Sequence, residues 1–124
     1  MTKHDHAKKK VLIVDDEPHV LKYLGALLQD NGYETVTAND GHEGLAVLEQ
    51  EKPDLIVLDL LMPKETGTGF YRKLGRHKEL AEVPVIVVSA VPGRHLAVTN
   101  PVAVFDKPIE PDAFLAAVER ALGE

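Results

Sequence analysis

The 124-residue sequence reads as one α/β domain, a five-stranded parallel sheet held between two layers of helix. Three apolar runs, Val11-Leu12-Ile13-Val14, Leu55-Ile56-Val57-Leu58 and Val85-Ile86-Val87-Val88, are continuous rather than alternating, as strands covered on both faces are. Segments of helical period separate them, which gives the alternating order of a three-layer sandwich with right-handed crossovers. A fourth run, Val102-Ala103-Val104-Phe105, reads as buried too. The runs end at Asp15-Asp16, at Asp59, at Ser89 and just short of Lys107. Strands of an open parallel sheet point the same way, so these ends converge on the edge where ligands bind.

Along the chain, residues 1–9 read as a flexible lead and residues 10–124 as the domain. Lys8-Lys9-Lys10 reads as a solvated approach to the first strand rather than a recognition patch. His4 and His6, flanking Asp5 in a chain end, do not make a metal site. From Pro18 to Asp30, Val20, Leu21, Leu24, Leu27 and Leu28 form one helical stripe. Pro18 suits the first turn and Asn31-Gly32 the stop.

A weaker strand is expected over Tyr33 to Ala38. Asp40 with Glu43 then resembles a capping pair opening a helix to about Gln50, and Pro53 closes the connection. Thr66 to Leu80 carries Phe70, Tyr71 and Leu74 for a helix, interrupted by Gly67, Gly69 and Gly75. Pro111 opens the last helix, with a stripe of Phe114, Leu115, Val118 and Leu122.

Composition excludes several functions. Twenty acidic against fourteen basic side chains give a net charge of −6, which repels nucleic-acid phosphates. The absence of cysteine removes thiol catalysis, disulfides and cysteine metal sites, and suits a reducing compartment. No apolar stretch approaches the ~20 residues of a membrane span, and the polar start lacks a signal-peptide core. The reading is of a cytoplasmic protein that contacts neither membrane nor nucleic acid.

Asp15, Asp16 and Asp59 would place three carboxylates at adjacent strand ends, where mutual repulsion raises their pKa values unless a cation intervenes. A hard divalent ion such as Mg²⁺ answers that need with one or two carboxylates, waters and a phosphate oxygen. A carboxylate is also a nucleophile toward phosphorus. In-line phosphoryl transfer needs a metal, a fixed positive charge and a hydroxyl donor, roles that fall to the ion, Lys107 and Ser89 around Asp59. Taken singly, each residue reads as an ordinary turn or cap. Their coincidence at strand ends gives them a shared chemistry.

Val14-Asp15-Asp16-Glu17-Pro18, Asp59-Leu60-Leu61-Met62-Pro63 with Gly67 eight residues after Asp59, Ser89-Ala90 and Lys107-Pro108 resemble the receiver domain of bacterial two-component response regulators. The match covers nearly the whole chain, and the 30 residues from Asp59 to Ser89 agree with the family. The resemblance implies a flavodoxin-like fold with strand order 2-1-3-4-5, the order the family shares with flavodoxin itself. It implies that Asp59 accepts a phosphoryl group from a histidine kinase or histidine phosphotransfer protein.

The resemblance further implies that Asp16, Asp59 and the Leu61 carbonyl ligate Mg²⁺ directly, with Asp15 acting mostly through water. Ser89 and Lys107 would then contact phosphoryl oxygens, small Ala90 would leave room for the group, and Lys107-Pro108 would be cis. The protein would be no conventional enzyme, taking part only in its own phosphorylation and dephosphorylation. It would signal through a downstream protein as a monomer or weak dimer.

Departures from the family are as specific. The aromatic usual three residues before the lysine is Val104, and Phe105 should face the other way. The 18 residues from Ser89 to Lys107 are fewer than the family commonly has, and they include Pro92-Gly93 and Pro101. A shortened or irregular fourth helix is therefore expected, which unsettles the common dimer face. Leu61 and Val91, at two positions that govern phosphoryl lifetime in the family, cannot position an attacking water, so slow hydrolysis is expected.

Other classes fit less well. Haloacid dehalogenase phosphatases need Asp-x-Asp followed by Thr, whereas Asp15 is followed by Asp16, Glu17 and His19. Asn39 to Gly44 is neither a dinucleotide fingerprint nor a P-loop, and Ser89 does not sit in a hydrolase elbow. A pseudo-receiver, a binding scaffold that keeps the fold without switching, stays as the alternative: every site residue is present, but the aromatic is not.

Overall fold

The computed structural model describes residues 9–59, 82–89 and 102–123. Among them the order is β1 (Lys10–Val14), α1 (Pro18–Gln29), β2 (Glu34–Ala38), α2 (Gly41–Glu51), β3 (Leu55–Asp59), β4 (Val85–Ser89), β5 (Ala103–Asp106) and α3 (Pro111–Ala121). All pairings are parallel and the strand order is β2-β1-β3-β4-β5, as expected. Residues 1–8 of the expected lead, the Thr66 to Leu80 segment and the expected short fourth helix lie outside the described residues.

The three layers follow from strand alternation. Val11, Ile13, Leu55, Val57, Ile86 and Val88 point to one face and pack with Leu24 and Leu28 of α1 and with Phe114, Ala117 and Val118 of α3. Leu12, Val14, Ile56, Leu58, Val85 and Val87 point to the other face, against Leu48 of α2. A strand with both faces covered must be apolar throughout, which is why these runs do not alternate. Among the described residues, no helix is long and apolar enough to cross a membrane.

The helix ends follow their sequence signals. Asp40 Oδ1 accepts the Glu43 N–H at 2.8 Å, and Glu43 Oε1 accepts the Asn39 N–H at 2.7 Å. Two N–H groups outside the helical ladder are thereby satisfied. Gly32 takes a φ of 91° after α1, a left-handed position that glycine adopts without strain.

The fourth apolar run departs from the expectation of burial. Val102 and Val104 are 39% and 36% exposed, while Ala103 and Phe105 pack toward the core. The reason is position: β5 is an edge strand, so its apolar character marks one covered face rather than two. Phe105 meets Phe114 edge to face at 5.8 Å, on the side opposite Val104, as alternation requires.

Candidate functional site

Strand register brings the expected residues to one edge. Val14 pairs with Leu58, so Asp15 follows β1 alongside Asp59, the last residue of β3. Asp59 pairs with Val88 and Ser89 with Asp106, which carries the line across β4 to Lys107, the first residue after β5. The Lys107-Pro108 bond is cis, as expected. The Ser89 side chain and residues Leu61, Ala90 and Val91 lie outside the described residues.

Asp15 is fully buried. Its backbone N–H donates to the Ala38 carbonyl at 3.1 Å, and its Oδ1 accepts the Glu17 N–H at 2.9 Å. That local bond turns the chain out of β1 and toward α1. Oδ2 faces the Lys107 ammonium at 2.9 Å but off hydrogen-bond alignment, so this buried oxygen has an ionic neighbour and no hydrogen bond.

Lys107 is the hub. Its side chain is 13% exposed, and Nζ donates to Glu17 Oε1 at 2.7 Å and lies 3.6 Å from Asp59 Oδ2. Because β5 is separated from β1 by β3 and β4, this one side chain ties the two ends of the line together. Burial disfavours the ammonium, but the hydrogen bond to Glu17 and the close carboxylates of Asp15 and Asp59 outweigh it. Its pKa therefore stands above the ordinary lysine value.

The carboxylates respond in opposite directions. Burial pushes the Asp15 carboxyl up, and Lys107 and the Glu17 N–H only partly offset it. The expected cause was repulsion among the strand-end aspartates; burial is the larger one, and Glu17 supplies the repulsion. Glu17, hydrogen-bonded to Lys107, is held below the usual carboxylate range. Its other oxygen, Oε2, lies 3.4 Å from His19 Nε2.

Glu17 is the residue that sequence reasoning missed. Carboxylate oxygens of Asp15, Asp16 and Glu17 lie within 4.8 Å of one another, the only such group of possible metal ligands among the described residues. Its signal was the third acid of Asp15-Asp16-Glu17, which reads in isolation as the lead into a helix. An oxygen-only donor set beside a buried carboxylate oxygen without a hydrogen bond fits a hard divalent cation. A cleft of about 560 Å³ opens next to this group, walled by Glu17, His19, Val20, Tyr23, Lys107, Pro108 and Ile109.

Comparison with known proteins agrees with this arrangement. Rrf1 of Nitratidesulfovibrio vulgaris is 34% identical over 113 residues, covering 91% of this chain and 82% of that protein. The transcriptional regulatory protein GlrR of Escherichia coli is 38% identical over 121 residues, covering 94% of this chain but only 27% of that protein. In structure, the chemotaxis protein CheY4 of Vibrio cholerae matches with a TM-score of 0.83 at 30% identity, covering 91% of this chain and 98% of that one. The response regulator receiver domain family matches residues 11–119, the stretch from β1 to within the last turns of α3. With the family match over residues 11–119 and the strand order in agreement, this chain belongs to the response regulator receiver domain family.

Proposed function

We propose that residues 10–124 form a phosphoacceptor unit that takes a phosphoryl group onto Asp59 and signals through protein contact. The observation that supports this reading most is the seating of the Lys107 ammonium against both Asp15 and Asp59 at the carboxyl edge of the sheet. In the transfer, an Asp59 oxygen forms a bond to phosphorus as the phosphorus–nitrogen bond of a phosphohistidine breaks. The bonding pair returns to the imidazole nitrogen, which takes up a proton. The donor would be a histidine kinase or histidine phosphotransfer protein in the cytoplasm.

Each side chain has a physical task in this reading. Asp59 is the nucleophile, and the Asp15-to-Glu17 turn keeps Asp15 fixed beside it. Lys107 places a permanent positive charge where the equatorial oxygens gain negative charge. Ser89, at the end of β4, is assigned a hydroxyl contact to the same group. Asp15, Asp16 and Asp59, with the Leu61 carbonyl, would hold Mg²⁺, which when bound supplies the remaining charge neutralisation.

The test is labelling by acetyl phosphate with and without Mg²⁺, read by intact mass. A gain of one phosphoryl group that requires Mg²⁺ is expected, and its loss in Asp59→Ala and Asp59→Asn, with folding checked by circular dichroism. Labelling that survives both substitutions would place the acceptor elsewhere and refute the reading.

A further inference from the structure

We propose that Glu17 is a positioning residue that holds the Lys107 ammonium in the unphosphorylated protein, so that an arriving phosphoryl group must displace Glu17 from Lys107. The inference rests on Asp59 being the acceptor. Lys107 Nζ is hydrogen-bonded to Glu17 at 2.7 Å, whereas Asp59 is 3.6 Å away. The lysine is thus engaged away from the residue it is meant to serve.

An ammonium has three donors. Those donors are not exhausted, but the 2.7 Å bond to Glu17 and the Asp15 pair at 2.9 Å fix the ammonium 3.6 Å from Asp59, so a dianionic group added there competes with them for its position. Asp15 cannot yield readily, because it is fully buried and its other oxygen is committed to the turn. Glu17 can: its side chain is 41% exposed. It occupies the N-cap position of α1 without making a capping hydrogen bond, so leaving Lys107 breaks no cap, and the other side chain beside it, His19 at 3.4 Å, is exposed. Its carbonyl, by contrast, is fixed by the N–H groups of Val20 and Leu21. The side chain moves while the backbone stays.

Glu17→Gln keeps the size and the acceptor oxygen and removes the charge. Binding of beryllofluoride, a phosphoryl mimic, is measured by calorimetry at saturating Mg²⁺ for wild type, Glu17→Gln and Glu17→Ala. The two variants are expected to bind about two- to fivefold more tightly, the equivalent of a partly exposed ion pair. The Lys107 ammonium resonance should shift in the free variants and coincide with wild type in the beryllofluoride-bound forms. Thermal stability should fall slightly in both, a change that a merely structural residue would pair with unchanged or weaker binding.

Equal or weaker binding by both variants, with wild type binding normally, overturns the role of Glu17 and leaves the acceptor reading intact. Wild type that binds no beryllofluoride overturns both.

Discussion

Fully buried, Asp15 keeps one oxygen on the Glu17 N–H and turns the other toward Lys107, yet burial still holds its carboxyl above its ordinary pKa. Ionised Asp15 is therefore a net burden on the folded state without a metal. Asp15→Asn keeps the oxygen that holds the turn and removes the charge. The substitution should raise stability in the absence of metal by about 1 kcal/mol, within the ordinary range for single substitutions. For a chain of this size that is a rise of about 4 °C in Tm. Differential scanning calorimetry in chelator checks it, and a lower Tm would show that the Lys107 pair outweighs burial. The same substitution should weaken Mg²⁺ binding, the usual opposition between a stable site and a working one.

At the scale of elements, α1 contains a glycine that its geometry does not need. Gly25 lies mid-helix, and a Cβ built there would meet nothing nearer than Thr35 Oγ1 at 3.9 Å, an ordinary contact. Gly25→Ala should stabilise the protein by about 0.5–1 kcal/mol through helix propensity. A raised urea midpoint with an unchanged slope confirms it; a lowered midpoint means that α1 must shift from β2. What the sequence disclosed about the elements depended on how local each signal was. β1, β3 and β4 were readable because burial on both faces leaves an unbroken apolar run. β5 was readable as a strand but its burial was overread, because an edge strand with one covered face can also carry valines on the other, and nothing within Val102 to Phe105 marks the edge. Asp15, Asp59 and Lys107 were readable because each sits at the carboxyl end of an apolar strand. Glu17 was not, because its partner is 90 residues away, just past a strand that is not β1's neighbour, and only the assembled sheet brings Lys107 to it.

For the whole molecule, the charged groups of the site couple pH to global stability, and a bound metal would do the same. Asp15 has a raised pKa, so between its ordinary value of 3.8 and its folded value the native state holds more protons than the unfolded one. Stability from this group therefore falls as pH rises through that window. Glu17 acts oppositely: its pKa is lowered, so its contribution is present above 4.5 and is lost as pH falls through its folded value. Lys107, with a raised pKa, contributes below 10.5 and loses that contribution as pH rises through its folded value. From these three groups alone, the metal-free stability is expected to be greater on the acid side of neutrality than at pH 7.

Mg²⁺ held by these carboxylates, as proposed, would reverse that ordering because it requires them ionised. Binding to the native state alone adds about 2.7 kcal/mol at a concentration one hundred times Kd. The gain should be full at neutral pH and shrink as Asp15 takes up its proton, shifting the balance toward neutrality. Thermal melts across pH 4 to 8, with chelator and with Mg²⁺, read both profiles. A metal-free profile that rises steadily to pH 7, or a Mg²⁺ increment that is constant across the range, would mean that the strand-end acids do not govern stability. In Asp15→Asn the acid-side excess of the metal-free profile should flatten, which assigns the effect to that one buried carboxyl.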